Sequence, residues 1–273
     1  MKLSRQRSVR LPAMEARHHL DGRLLFALAA AALAGILFWN TWPLYPFKLL
    51  VVLMHESGHA AATLLVGGSV DAIRISPDQG GLTLSRFAPS VLREIVISSA
   101  GYVGSTFSAC VLLYLAARSR NGRWPLVALA ACCMLVTLLY VRDAFTLAFV
   151  SACALALGLL ARFGASWLRR GVLVFLAAFS CCYALYDIRD DLLHLTSWSG
   201  GTDADALARA TFIPAIVWGV AWGLLSIGLV LLTLRHILVS AQPADSADSG
   251  TPLTPYATLH ANPDAPSRDE LAR

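Results

Sequence analysis

This chain is short of charge. Asp, Glu, Lys and Arg together supply only 14% of its 273 residues, whereas 57% are hydrophobic, and the mean hydropathy is +0.62. A soluble domain of this length carries about a quarter of its residues as charges, so the composition excludes a water-soluble fold and predicts an integral membrane protein. Cysteines outside apolar runs are also missing. Cysteines 110, 132, 133, 153, 181 and 182 all fall inside apolar runs, whereas a disulfide framework would place them in exposed loops and a zinc cluster beside polar neighbours. They read as small helix-packing residues. No small-residue cleavage site precedes the polar turn Trp39-Asn40-Thr41-Trp42, so the first apolar run reads as a retained span, not a removed leader. No internal repeat relates the two halves, which argues against a transporter using intramembrane acids and histidines as an ion path. No PDZ-like or other soluble domain is recognisable.

What the chain does have is a series of apolar runs near the roughly 20 residues that cross a hydrocarbon core. They cover 24–40, 45–66, 91–117, 125–141, 144–161, 171–187 and 211–234. The expected fold is therefore an all-α polytopic membrane protein with about seven transmembrane helices. A basic arm over 1–23, with Lys2, Arg5, Arg7, Arg10, Arg17 and Arg23, predicts a cytoplasmic N-terminus by the positive-inside rule and a plasma or inner membrane location. Basic groups at Arg118, Arg120 and Arg123 and at Arg162, Arg169 and Arg170 pull against that orientation. Trp39, Trp42, Tyr45, Trp124 and Trp167 lie near span ends, as an interfacial aromatic belt requires. The net charge of +5 suits an anionic bilayer surface and calls for no nucleic-acid partner. The transmembrane domain is expected over 24–236, with a polar, acidic loop at 187–210. Residues 237–273, Pro-rich and without an apolar period, read as a disordered tail.

One of these runs carries chemistry. Residues His55-Glu56-Ser57-Gly58-His59 form an H-E-x-x-H pattern within the apolar stretch from Leu49 to Val66. On a helix the two imidazoles project from one face and can share a zinc ion, with Glu56 placed to activate water. Burying two imidazoles and a carboxylate in a membrane costs several kcal/mol unless they are paired or metal-bound. Gly58, between them, lets a neighbouring span approach closely. After Gly67-Gly68 the pattern changes. Ser69 to Ile75 alternates and is rich in β-branched residues, Pro77-Asp78-Gln79-Gly80-Gly81 signals a turn, and Leu82-Thr83-Leu84 is extended again. A short β-hairpin within the loop 67–90 is expected. It serves either as a plain connector or as an edge strand that pairs with an unwound substrate segment.

This combination resembles the site-2 protease class of intramembrane zinc metalloproteases, in particular its compact bacterial branch without a PDZ domain, over roughly residues 45–235. The resemblance implies that His55 and His59 bind Zn2+, that Glu56 is the general base, and that an aspartate on a later span completes the site. It implies substrates that are membrane-embedded or membrane-anchored proteins cut within or near the lipid bilayer. The apolar stretch 125–161 would be roughly 55 Å long as one helix, about twice the bilayer core, so it must break at Arg142-Asp143. Asp143 stands where the family's order of spans places its aspartate, although Arg142-Asp143-Ala144-Phe145 replaces the usual Asn-Pro-x-x-Asp-Gly style motif. Asp143 is thus the expected third metal ligand and Asp187 its rival. Each has a salt bridge, to Arg142 or to Arg189, as the plain alternative. Ser99-Ala100-Gly101-Tyr102-Val103-Gly104-Ser105 resembles the family's Gly-Pro-x-x-Asn region. Gly101 and Ser105 belong to a small-residue packing surface there, and Tyr102 is either part of it or a donor to an oxyanion. The expected activity is zinc endopeptidase, with a catalytically inactive membrane scaffold of the same fold as the alternative. The sequence leaves substrate and oligomeric state open.

Overall fold

A computed structural model of the chain describes residues 22–39, 41–192 and 201–240. The basic arm before residue 22, residues 193–200 of the expected polar loop, and the predicted tail beyond residue 240 lie outside the described residues. Within them the chain forms α1 (Gly22–Leu37), α2 (Tyr45–Leu65), β1 (Ser69–Ile75), β2 (Gly81–Arg86), α3 (Val91–Arg118), α4 (Arg123–Tyr140), α5 (Ala144–Phe163), α6 (Ser166–Leu192), α7 (Asp203–Thr211) and α8 (Ala215–Ser240). The fold is helical with one antiparallel hairpin, as the sequence predicts.

Among the described residues five helices are long and apolar enough to cross a membrane: α3, α4, α5, α6 and α8, with a shorter apolar segment in α1. Leu135, Leu138, Leu155, Leu224, Leu231 and Leu232 are exposed on α4, α5 and α8. In water these would form an adhesive surface; in a bilayer they face lipid tails. The buried core lies on the other side of these helices, where Leu49, Val51 and Leu53 of α2 meet Leu173, Leu176 and Phe179 of α6. The motif helix is therefore interior to the bundle.

Local chemistry explains the breaks. Pro46 falls in the first turn of α2, where a missing N–H costs nothing. At its other end Gly67 takes φ +81°, and the Gly68 N–H closes on the Thr63 carbonyl at 2.8 Å, a left-handed helix stop that glycine adopts without a Cβ penalty. The apolar stretch 125–161 divides at the charged pair: α4 ends at Tyr140, and Asp143 caps α5 by accepting from the Thr146 N–H. Two boundaries differ from expectation. The segment 187–210 is not a continuous loop, because α6 runs on to Leu192 and a Thr202/Asp205 capping box starts α7. Thr211 belongs to α7. Phe212, at φ 60°, ends that helix, and the last helix begins at Ala215.

A two-stranded hairpin is marginal alone, and this one is tied down on two sides. The strands pair from Ser69↔Arg86 to Ile75↔Gly81, with an irregularity between Val70 and Ala72. An Arg86–Asp71 ion pair spans its open end. On the side of β1, Ile73 bridges Val141, and the Thr146 hydroxyl accepts from the Ile75 N–H at 2.8 Å. On the side of β2, Ser85 bonds Thr63 of α2 at 2.9 Å. The hairpin is thus held between the α4–α5 break and the motif helix.

Candidate metal centre

His55 and His59 lie one turn apart on α2, their ring centroids 4.7 Å apart. The carboxylate that joins them is Asp203, the first residue of α7. Its Oδ2 is 3.1 Å from His55 Nε2 and 3.1 Å from His59 Nε2. These three side chains form a cluster able to hold a metal ion. Burial works to raise the Asp203 carboxyl, but the His59 and His55 rings outweigh it and hold the group below the ordinary carboxylate range.

The carboxylate expected as third ligand is not the one the structure brings to the histidines. Asp143 is not in the cluster. Its Oδ1 accepts the Thr146 N–H at 2.9 Å, so the residue that breaks the long apolar stretch is consumed in capping the helix that follows. The rival, Asp187, does reach the site but from the wrong edge: its Oδ2 is 3.5 Å from His55 Nδ1, the nitrogen that faces away from Asp203. That is the place of an outer carboxylate that orients a ligating imidazole. Asp203 was missed because it stands in an acidic stretch that reads as a solvated loop. The available signal was Thr202-Asp203-Ala204-Asp205, a capping-box pattern opening a helix between two apolar spans.

What brings Asp203 to the histidines is a small apolar cluster of Tyr102, Ile188, Ala204, Leu207 and Trp222. It fastens α7 to α3, α6 and α8. Tyr102, 1% exposed, stacks on Trp222 and meets the His55 ring edge-on, at centroid distances of 4.7 Å in each case. Ser105 donates to the Tyr102 carbonyl at 3.0 Å and is equally buried. Gly101 lies against both imidazoles. A Cβ there would come within 2.3 Å of His55 Nε2 and 2.5 Å of His59 Nε2. Gly58 makes the matching contact on α2, where a Cβ would reach the Ala100 carbonyl oxygen at 2.1 Å. Glycine on both helices lets α3 cross α2 at the level of the motif.

The donor set fits zinc. His59 Nδ1 lies 2.7 Å from the Ile97 carbonyl oxygen, which assigns the ring proton to Nδ1 and leaves the Nε2 lone pair for a metal. Donors held tetrahedrally at about 2.0–2.1 Å from zinc lie about 3.3 Å from one another, close to the 3.1 Å separations found here. Gly101 keeps the space before both Nε2 atoms open. Glu56, between the histidines in sequence, is buried and accepts from the Thr83 hydroxyl through Oε2 at 2.6 Å. Glu56, His55, His59 and Asp203 line one cavity of about 720 Å³, which the hairpin residues Gly81 and Thr83 also border.

The family model described as Peptidase M50B-like matches residues 28–233 of the chain. No curated protein and no solved structure matches it.

Proposed function

Because this chain belongs to the Peptidase M50B-like family, a metallopeptidase family whose members use zinc, we propose that it is an intramembrane zinc endopeptidase acting on membrane-embedded or membrane-anchored proteins. The observation that carries this reading is the convergence of His55 Nε2, His59 Nε2 and Asp203 Oδ2 on a cavity that also holds Glu56. Two imidazoles and one carboxylate, with a position left for water, are the ligand set of hydrolytic zinc sites. Bound there, zinc supplies Lewis-acid activation of water and of a peptide carbonyl.

The remaining work falls to the chain's own groups. Glu56 takes the proton of the attacking water and returns it to the leaving amine. The Ile97 carbonyl holds the outer edge of the His59 ring by a hydrogen bond, which orients its donor nitrogen, and Asp187 places a negative charge 3.5 Å from the outer nitrogen of His55. The cavity brings the polar groups of His55, Glu56, His59 and Asp203 together with apolar walls such as Val52, Leu82 and Ile97, so water and an unfolded stretch of substrate have a place to meet. Scission also needs an extended substrate, since a helix keeps its carbonyls in internal hydrogen bonds. The outer edge of β2 borders the cavity and has no strand partner among the described residues, which suits it to accept such a stretch as an added strand. Tyr102, edge-on to His55, acts here through packing.

The test is metal content together with one substitution. Purified protein is expected to carry one zinc per chain, and Glu56→Gln to keep that zinc while losing cleavage of a fluorogenic single-span helix in vesicles. Cleavage by Glu56→Gln at the wild-type rate would remove the general-base assignment, and a zinc-free wild type that still cuts would remove the metal reading.

A further inference from the structure

We infer that Thr83 is a positioning residue for Glu56, so that the hairpin, and not the motif helix alone, sets where the general base points. The inference rests on the endopeptidase reading of the site. Glu56 is one residue from His55 on the same helix, yet none of its carboxylate contacts given by the structure comes from α2. The Thr83 hydroxyl lies 2.6 Å from Glu56 Oε2 and 2.9 Å from the Glu56 main-chain oxygen. The shorter distance is at the close end of the range for an O–H···O hydrogen bond. One hydroxyl proton serves both acceptors, so Thr83 fixes the side chain relative to its own backbone.

The other carboxylate oxygen is bounded by the same strand. Gly81 stands two residues before Thr83 and so projects to the same face of β2. A Cβ at position 81 would come within 2.3 Å of Glu56 Oε1 and 2.7 Å of its Cδ. The carboxylate is therefore gripped at Oε2 by a hydrogen bond and limited at Oε1 by a residue with no side chain. The strand that does this is braced. Thr83 pairs with Ile73 and Gly81 with Ile75, and Ile75 is pinned by the Thr146 hydroxyl. On the far side of Thr83, Ser85 meets Thr63 of α2. Movement of β2 relative to α2 must move Glu56, and the strand proposed to receive substrate is the strand that aims the base.

The test compares Thr83→Val, which keeps shape and strand preference but lacks the proton, with Thr83→Ser, which restores it. Zinc-loaded protein is used, and the readout that needs no substrate is the Glu56 carboxylate stretch, isolated by subtracting infrared spectra of the same chain carrying Glu56→Gln. Thr83→Val is expected to shift that band, to keep one zinc per chain, and to lower kcat for the vesicle-borne helix by about 10²-fold, the cost of roughly 1 Å of misplacement, with KM unchanged. Thr83→Ser is expected to restore both band and rate. Gly81→Ala, which crowds Oε1 from the other side, is expected to shift the band as well and stands in should Thr83→Val fail to fold. An unshifted band in both Thr83→Val and Gly81→Ala, or a Thr83→Val rate equal to wild type, overturns the inference. Equal cleavage by wild type and Glu56→Gln would instead overturn the general-base assignment, and no cleavage by the zinc-loaded wild type would overturn the endopeptidase reading; in either case the band would still decide the role of Thr83.

Discussion

Replacing Gly101 by alanine tests the metal centre with a single methyl group. The new carbon would lie 2.3 Å from His55 Nε2, 2.5 Å from His59 Nε2 and 2.6 Å from His55 Cε1. Non-bonded carbon contacts settle at about 3.5–4.0 Å, so each nitrogen is crowded by roughly 1 Å. Two helices meet here through glycine, and the rings have little room to retreat: Tyr102 lies against His55, and His59 is bonded to Ile97. Zinc sites tolerate donor displacements of only about 0.2 Å. Zinc affinity is therefore expected to fall by more than about 100-fold, beyond the range seen when an outer-shell partner is lost, together with about 1–3 kcal/mol of stability from overpacking. Chelator competition measures the first effect and thermal unfolding the second. Gly104→Ala is the control. Its Cβ meets the Gly58 Cα at 3.0 Å and touches neither ring, so it should cost stability while leaving zinc in place. A Gly101→Ala protein that binds zinc as tightly as wild type would refute the placement of the ion before these two nitrogens.

Three further substitutions separate the three aspartates. Asp203→Ala is expected to lose zinc, whereas Asp143→Ala should retain it and lose about 0.5–2 kcal/mol of stability, the usual value of a helix N-cap; zinc analysis and unfolding curves on the pair distinguish ligand from cap. Asp187→Asn, beside His55 Nδ1 at 3.5 Å, is expected to weaken zinc binding by about 10–100-fold without abolishing it, as read by competition with a chromogenic chelator.

The parts of this fold that were legible in the sequence are those whose causes are local. Apolar runs give the spans, Gly67 stops α2, and the alternation around Pro77–Gly81 gives the hairpin. His55, Glu56 and His59 declare themselves because helical spacing alone puts them on one side. The break at Arg142-Asp143 was also readable, but its meaning was not. A carboxylate at a helix break can ligate a metal or cap the next helix, and only the Thr146 N–H beside it decides. Asp203 depends on contacts far apart in sequence, since Leu207 must find Tyr102 and Trp222 before the carboxylate reaches α2. The grip of Thr83 on Glu56 is hidden for the same reason. Strand alternation says that position 83 shares a face with 81, not which helix that face meets.

The late position of Asp203 has a consequence for biogenesis. A nascent chain that has inserted only through α6 holds both imidazoles but not Asp203, and the hydrophobic dock that seats Asp203 is incomplete until Trp222 of α8 has been synthesised. The cluster that could hold a metal ion is thus assembled only after α8 joins the bundle, well after both histidines have been made.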